Sequence, residues 1–192
     1  MKLAIYGYGG HAREVAAQID KEVTFFVDDQ YSNNIALPIS SFDPEKYNML
    51  VAVANSKDRM DIVNRLPSKT VYFTYIHPSA LILCDDIHIS EGSFIGANCV
   101  LTTNIKVGKH CILNRSVHIG HDCEIGDYFS AMPSVIISGN VNIGNCVYVG
   151  TNTSIKEKTN IHNSVIVGMG AVVINHIETS GTFVGVPAKL IK

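Results

Sequence analysis

From Leu83 to Val173 the apolar residues fall on a beat of six: Leu83, Ile89, Ile95, Leu101, Val107, Leu113, Ile119, Ile125, Ala131, Ile137, Ile143, Val149, Ile155, Ile161, Val167 and Val173. Every member except Ala131 is a branched aliphatic. A glycine often follows, and the residue two before is usually small or β-branched, as at Cys99, Ile105, Cys111, Val117 and Cys123. An amphipathic helix repeats near 3.6 residues and a half-buried strand at 2, so neither accounts for six. A period of six predicts a parallel β-helix, in which each hexad makes one short face and a turn, three faces close a triangular coil, and the aliphatic points to the axis. Stacked coils then cover one another's edges and apolar interior.

The pattern before residue 77 is different. Lys2–Tyr6 is a short apolar run, followed by Gly7-Tyr8-Gly9-Gly10-His11 and by AREVAAQI, where Val15, Ala16 and Ile19 keep helical spacing. This reads as strand, glycine turn, helix. Further strands are predicted at Val23–Val27, ending in Asp28-Asp29, at Met49–Ala54 and at Thr70–Tyr75, with a second helix over Lys57–Leu66. Residues 1–76 are therefore expected to form a small α/β domain with a parallel, Rossmann-like sheet. His77-Pro78-Ser79-Ala80 is the joint, because proline restricts its neighbours and stops the strand. Residues 77–192 are the β-helix and its closing segment; the beat fails at His176-Ile177-Glu178-Thr179.

Composition narrows the function. Of 192 residues, 46% are hydrophobic and 17% charged, which suits a well-cored chain, and the net charge of -2 gives no electrostatic reason to expect nucleic acid or an acidic membrane surface. No signal peptide and no membrane-spanning run is read, and a cytoplasmic location is expected. The five cysteines are odd in number. Cys99, Cys111 and Cys123 share one slot of the hexad at spacings of twelve, whereas stacking needs eighteen. They are expected to leave from different faces as small packing residues, in preference to zinc ligands or disulfides.

Two features carry chemistry. A glycine turn after the first strand is common without a ligand. Here an acidic pair also closes the second strand, where an open α/β sheet has its crevice. A nucleotide joined to something smaller than a second nucleotide is the preferred ligand. Among eight histidines, His88, His110 and His162 read as surface residues at turns of the coil. His121 stands apart in Ile119-Gly120-His121-Asp122-Cys123, because a carboxylate beside an imidazole fixes its tautomer and raises its basicity.

GYGGHAREV, the VDD pair, HPSALI, VHIGHDCEIGD, SGNVNIGNCVYVG and FVGVPAK together resemble the left-handed β-helix (hexapeptide-repeat) sugar acetyltransferases. The branch is that of sialic-acid O-acetyltransferases and of N-acetyltransferases of UDP-4-amino-sugars, and the resemblance spans essentially the whole chain. It implies an acetyl-CoA-dependent homotrimer with active sites between neighbouring coils, no metal, no nucleic acid and no membrane insertion. It implies His121 as general base and Asp122 as the acid beside it. Gly9, Gly10, His11, Asp28, Asp29 and Asn114 would face the nucleotide-sugar. Gly139, Gly150, Gly168 and Ala171 would line the coenzyme, and Gly185, Pro187 and Lys189 would close on its nucleotide. Several relatives carry a second His nine residues after the base, near the acetyl carbonyl; Ser130 stands there here, so its hydroxyl or a backbone N–H is left for that role. The expected reaction is N-acetylation of a UDP-, dTDP- or GDP-linked amino-sugar for bacterial surface glycans. The alternatives are O-acetylation of a sialic-acid-like sugar, a γ-type carbonic anhydrase using His110, His118 and His121, and a catalytically silent scaffold.

Overall fold

The computed structural model describes residues 1–192 as two tightly joined units. The first is a five-stranded parallel sheet built from β1 (Lys2–Tyr6), β2 (Val23–Val27), β3 (Ala36–Pro38), β4 (Tyr47–Val51) and β5 (Val71–Tyr72), in the order β3-β2-β1-β4-β5. Helix α1 (Gly10–Ala16) links β1 to β2, and α2 (Ser56–Arg65) links β4 to β5. The chain leaves β1 to one side and returns through β4 on the other, so the strand order reverses at β1/β4 and a crevice opens at their carboxyl ends. Apolar side chains fill both sides of this sheet. Ile5, Ala12, Val15, Ile19 and Leu50 pack on one face, and Tyr6, Phe26, Met49, Val51, Ile62 and Leu66 on the other. The strand Ala36–Pro38 lacks a periodic signal and was not anticipated.

The second unit is the expected left-handed β-helix. Its first face runs from Tyr75–Ile76 through Phe94–Ile95, Ile112–Leu113, Ser130–Ala131 and Tyr148–Val149 to Val165–Val167 and Gly181–Val184. The second face runs from Leu81–Ile82 to Val172–Val173, and the third from Ile87–Ile89 to Asn160–Ile161. Eighteen residues separate partners, as in Ile105 with Cys123 and His118 with Ile136. Most of the beat's aliphatics and of the residues two before them fall in one cluster of 26 buried side chains, in which each Val, Leu, Ile or Phe contributes about 1.5–3 kcal/mol. At every sixth residue from Asn98 to Ser164 the backbone takes a positive φ between 49° and 62°, which turns one face into the next. Asn, Asp and Ser fill many of these places, since their short polar side chains tolerate the left-handed region.

The beat needs one correction. Leu83 is 57% exposed, whereas Ile82 pairs with Leu101 and packs on the core. The register between the first two coils is nineteen residues at Leu81–Ile82 and returns to eighteen at Ile87. One extra residue lies between Ile82 and Ile87, and the phase read backwards from Ile89 is off by one there. The unit also begins earlier than His77, because Tyr75–Ile76 pairs with Phe94–Ile95 in the coil rather than extending β5. Cys99, Cys111 and Cys123 are fully buried next to strands of three different faces. Burial pushes the Cys99 thiol up to about 11 and the Cys111 thiol to about 12, and both behave as small hydrophobes. No helix is long and apolar enough to cross a membrane.

The α/β unit sits on the coil's first face. Ala12 and Val15 of α1, with Ile19 just beyond it, pack on Phe94, Ile112 and Met132. Gln18 accepts the Ala97 N–H at 2.9 Å, and Glu14 pairs with Arg115. On the other flank α2 inserts Arg59, fully buried, against the corner at His110 and Tyr128. The α/β unit therefore covers the first face and both its corners, and leaves the corner between the second and third faces open.

Candidate active site

His121 occupies that open corner. It follows Ile119 of the second face and precedes the strand Cys123–Ile125 of the third, so the corner turn carries the imidazole outward. Asp122 holds one of the positive-φ places, and its backbone N–H bonds to the Thr103 carbonyl one coil before. This geometry brings sequence neighbours into contact: His121 Nδ1 lies 2.7 Å from Asp122 Oδ2. The other carboxylate oxygen accepts the Asn104 side-chain N–H at 2.6 Å. Asn104, one coil back at the same corner, was not anticipated; its eighteen-residue offset from Asp122 is the signal that would have found it. The Asn104 and His121 hydrogen bonds hold the Asp122 carboxyl below the usual carboxylate range. With Nδ1 held by Asp122, Nε2 lies over Gly139 and makes no hydrogen bond within the chain.

One coil further on, Gly139 lies directly beneath the ring. A Cβ at Gly139 would meet His121 Nε2 at 2.5 Å and Cε1 at 2.6 Å. The His121 ring therefore requires a glycine here, at the position that the resemblance assigns to the coenzyme. Gly150 has a different reason, since its Cβ would meet the Met169 backbone nitrogen at 2.5 Å, and Gly168 is closed by Val184. Both are demanded by the stacking of the coil. Ala171 is fully buried in the coil's core, so its side chain cannot line the coenzyme and only its backbone is left. Gly185, Pro187 and Lys189 lie in the closing segment, tied to Val172 through the Gly185 carbonyl and the Ala188 N–H.

Ser130 requires a second correction. Its side chain is fully buried under the α/β unit, where Oγ donates to the Ala54 carbonyl at 2.7 Å and accepts from Arg59 at 2.8 Å. The hydroxyl is spent on the joint and cannot reach an acetyl carbonyl, which leaves a backbone N–H for that role. His110 is a third correction. It is only 3% exposed, stacked on Tyr128 at 5.3 Å and edge-on to Tyr72 at 4.5 Å. Burial pushes its imidazole down to about 4. Sealed in this way, it cannot join His118 and His121 around a metal, and no three His, Cys, Asp or Glu side chains in the chain are grouped as metal ligands.

The glycine turn lies at the switch point of the sheet. Gly7 has φ +112°, a conformation that favours glycine, and nothing lies within 4 Å of a Cβ built on Gly9 or Gly10. A crevice of about 460 Å³ opens there, lined by Gly7, Tyr8, Gly9, Asp28, Val53 and Asp58 among others. Asp28 faces it but is already engaged, accepting from the Tyr6 hydroxyl at 2.7 Å and pairing with Arg65 at 2.8 Å. Burial and the Asp28 carboxylate together raise the Tyr6 hydroxyl, which keeps it a donor. Asp29 turns away and caps the Ser40 N–H at 3.0 Å, so the acidic pair is split between crevice and loop. His11 is half-buried, its Nε2 has no partner, and burial lowers its pKa. Asn114 is buried at the corner beside α1, accepting the Arg115 N–H at 2.7 Å.

The crevice and the His121–Asp122 pair thus belong to opposite sides of one prism. A sheet built to receive nucleotides rides on one face of a coil that carries an imidazole–carboxylate pair at the far corner, and this is the two-part architecture of a β-helix transferase. Comparison with known proteins agrees. Residues 2–66 match the family described as the PglD N-terminal domain. The chain is 30% identical to WeeI from Acinetobacter baumannii AYE, with a TM-score of 0.90 over 100% of both chains. It is 29% identical to the acetyltransferase domain of PglB from Neisseria gonorrhoeae FA1090, solved with acetyl coenzyme A, with a TM-score of 0.86 over 99% and 98% of the two chains. It is also 27% identical to the GDP-perosamine N-acetyltransferase of Escherichia coli O157:H7, covering 86% of this chain and 82% of that one. The chain belongs to the PglD-type family of hexapeptide-repeat sugar N-acetyltransferases.

Proposed function

We propose that this protein transfers the acetyl group of acetyl-CoA to the amine of a nucleotide-linked amino-sugar, with His121 as general base. The observation that carries the reading is the chain Asn104–Asp122–His121 above Gly139, at the only corner the α/β unit leaves open. An amine attacking a thioester carbonyl sheds a proton, and a positioned imidazole accepts it, a contribution of about 10²–10⁴-fold. Here Nε2 is the free acceptor, while Asp122 holds Nδ1–H and supports the imidazolium as it forms. Asn104 fixes the carboxylate in turn. The amine nitrogen bonds to the acetyl carbon, the carbon–sulfur bond breaks, and the coenzyme leaves as thiolate. A backbone N–H is left to stabilise the oxyanion, at roughly 2.7–4 kcal/mol for one donor. The glycine turn would receive the nucleotide phosphates and the crevice the rest of the nucleotide. The relatives that carry the coenzyme or GDP-perosamine in their names support both partners.

The working unit is a homotrimer. In one chain the crevice lies over the first face and the base at the opposite corner, so sugar and base meet only when a neighbour's base is brought to the crevice. The second face supplies the contact. Its outward row reads Leu81, Val100, His118, Ile136, Ser154 and Val172, with Leu81 54% and Ile136 46% exposed. The third face instead shows Lys106 paired with Glu124 and Asn142 with Asn160, a row suited to water. Activity on sugars for surface glycans in the cytoplasm is part of the same reading.

The test offers acetyl-CoA with a panel of UDP-, dTDP- and GDP-linked amino-sugars and follows thiol release. His121→Ala is expected to lower kcat by at least about a hundredfold with the fold intact. Near-normal turnover would remove His121 as base, and transfer only to sugar hydroxyls would favour the O-acetyl alternative.

A further inference from the structure

We propose that Arg59 is a positioning residue for the transfer: its guanidinium ties the wall of the nucleotide crevice to the corner of the coil and so sets where the sugar amine is presented. The inference rests on the reading above, in which sugar and base arrive on different units. Arg59 lies in α2 yet is completely buried, and its hydrogen-bond acceptors are carbonyl and hydroxyl oxygens, none of them a carboxylate. Its donors go instead to both units. Nη1 bonds to the carbonyls of Val53 at 2.5 Å and Ala54 at 3.3 Å. Nε bonds to the His110 carbonyl at 2.8 Å. Nη2 reaches the carbonyls of Tyr128 at 2.8 Å and Phe129 at 3.1 Å, and Ser130 Oγ at 2.8 Å.

Each contact has a place in the chemistry. Val53 lines the crevice at the end of β4. His110 and Tyr128 hold positive-φ places in adjacent coils at one corner, and both of their carbonyls accept from the guanidinium. One planar fork therefore spans the crevice wall and two successive coils, which a single ammonium cannot do. Ser56 Oγ, bonded to Ser130 Oγ at 3.2 Å and to the Val147 carbonyl at 3.1 Å, adds the next coil. The serine at position 130 thus serves the clamp. A displacement of about 1 Å between reacting groups is enough to cost about a hundredfold in rate, so an attachment this rigid bears directly on turnover.

The test compares Arg59→Met and Arg59→Lys with the wild type in binding, turnover and geometry. Dissociation constants for GDP, UDP and acetyl-CoA report each site separately. Nitroxides on the exposed Cys84 and on Ser32→Cys, in a Cys146→Ser background, report the distance between the units. The expected result for both variants is a kcat reduced by about thirtyfold or more, dissociation constants within about threefold of wild type, and a broadened distance distribution. Unchanged turnover would overturn the proposal, as would a fall in turnover with the distance distribution as narrow as in the wild type. Should Arg59→Met not accumulate folded, Ser130→Ala removes one acceptor only and is expected to show a smaller loss with measurable broadening; no change in either would likewise overturn it. If the wild type acetylates no sugar on the panel, the functional reading fails, and the distance measurement still decides whether Arg59 fixes the two units.

Discussion

Gly139→Ala separates two roles for one glycine. A methyl group at Gly139 would stand 2.5 Å from His121 Nε2, 2.6 Å from Cε1 and 2.9 Å from Cδ2. Ordinary contact lies near 3.5 Å, so the ring must move by about 1 Å. The backbone beneath offers no relief, because the Asn140 N–H is bonded to the His121 carbonyl at 2.8 Å and the Gly139 carbonyl accepts from Lys158 at 3.0 Å. The imidazole itself must swing, and its side chain is 57% exposed, so it has room. Swinging lengthens or breaks the 2.7 Å bond to Asp122. The expected loss in kcat is about a hundredfold for a base displaced by that distance, with little change in melting temperature because the ring moves into solvent. The assay is kcat and KM for both substrates, with a dissociation constant for acetyl-CoA. A glycine that merely lines the coenzyme would give the opposite pattern, a raised KM for acetyl-CoA with kcat retained, and that result would refute the reasoning.

Three further outcomes follow from the same geometry. Asn104→Ala removes the first cause of the lowered Asp122 pKa, so the carboxyl should titrate at higher pH by NMR, and kcat should fall about fivefold. His110 is held neutral in the fold at about 4 against 6.5 for an ordinary imidazole; the unfolded chain therefore binds the proton first, and stability present above pH 6.5 is lost as pH falls toward 4, by about 2–3 kcal/mol. Urea titrations across that range should show the loss, and His110→Gln should flatten it; an equal slope in both would count against His110. Ile136→Glu puts a charge in the apolar row of the second face, and sedimentation should find a folded monomer that binds nucleotide and has lost turnover.

The hexad made the coil legible because stacking repeats one physical demand many times, and a single exception such as Ala131 does not hide it. The first coil was misphased because an insertion leaves every residue plausible; Leu83 and Ile82 are both branched aliphatics, and only the pairing of Ile82 with Leu101 decides between them. His121 and Asp122 were legible as neighbours, although their contact depends on the positive φ at Asp122. Ser130, Ala171 and His110 were misplaced for a different reason. Ser130 and His110 sit in repeats whose exposure is set from outside, by the α/β unit that covers them, whereas Ala171 stands two residues before Val173, in the inward slot of the hexad itself. Arg59 carried no signal at all, since a lone arginine on a short helix reads as a solvated charge until the carbonyls that surround it are known.

The two ways of placing residues explain why the site is divided. In the coil, each corner residue is stacked on its counterpart eighteen positions away, with backbone bonds of 2.8–3.1 Å between the coils, so Asn104 is held against Asp122 and Gly139 against His121 without any specific side-chain packing. Such a stack gives rigidity to a base but only flat faces, and a flat face has no crevice for a phosphate-bearing sugar. The α/β sheet gives the crevice, at the one place where its strand order reverses, but offers no comparable ladder on which to mount a base. Fastening that sheet to the first face through Arg59 and α1 covers two corners and leaves the third for chemistry. If His121 is the base, as proposed, a chain built in this way does not bring its own base to its own crevice; catalysis then depends on assembly, and a variant that breaks the contact between copies should be silent with every residue of its site intact.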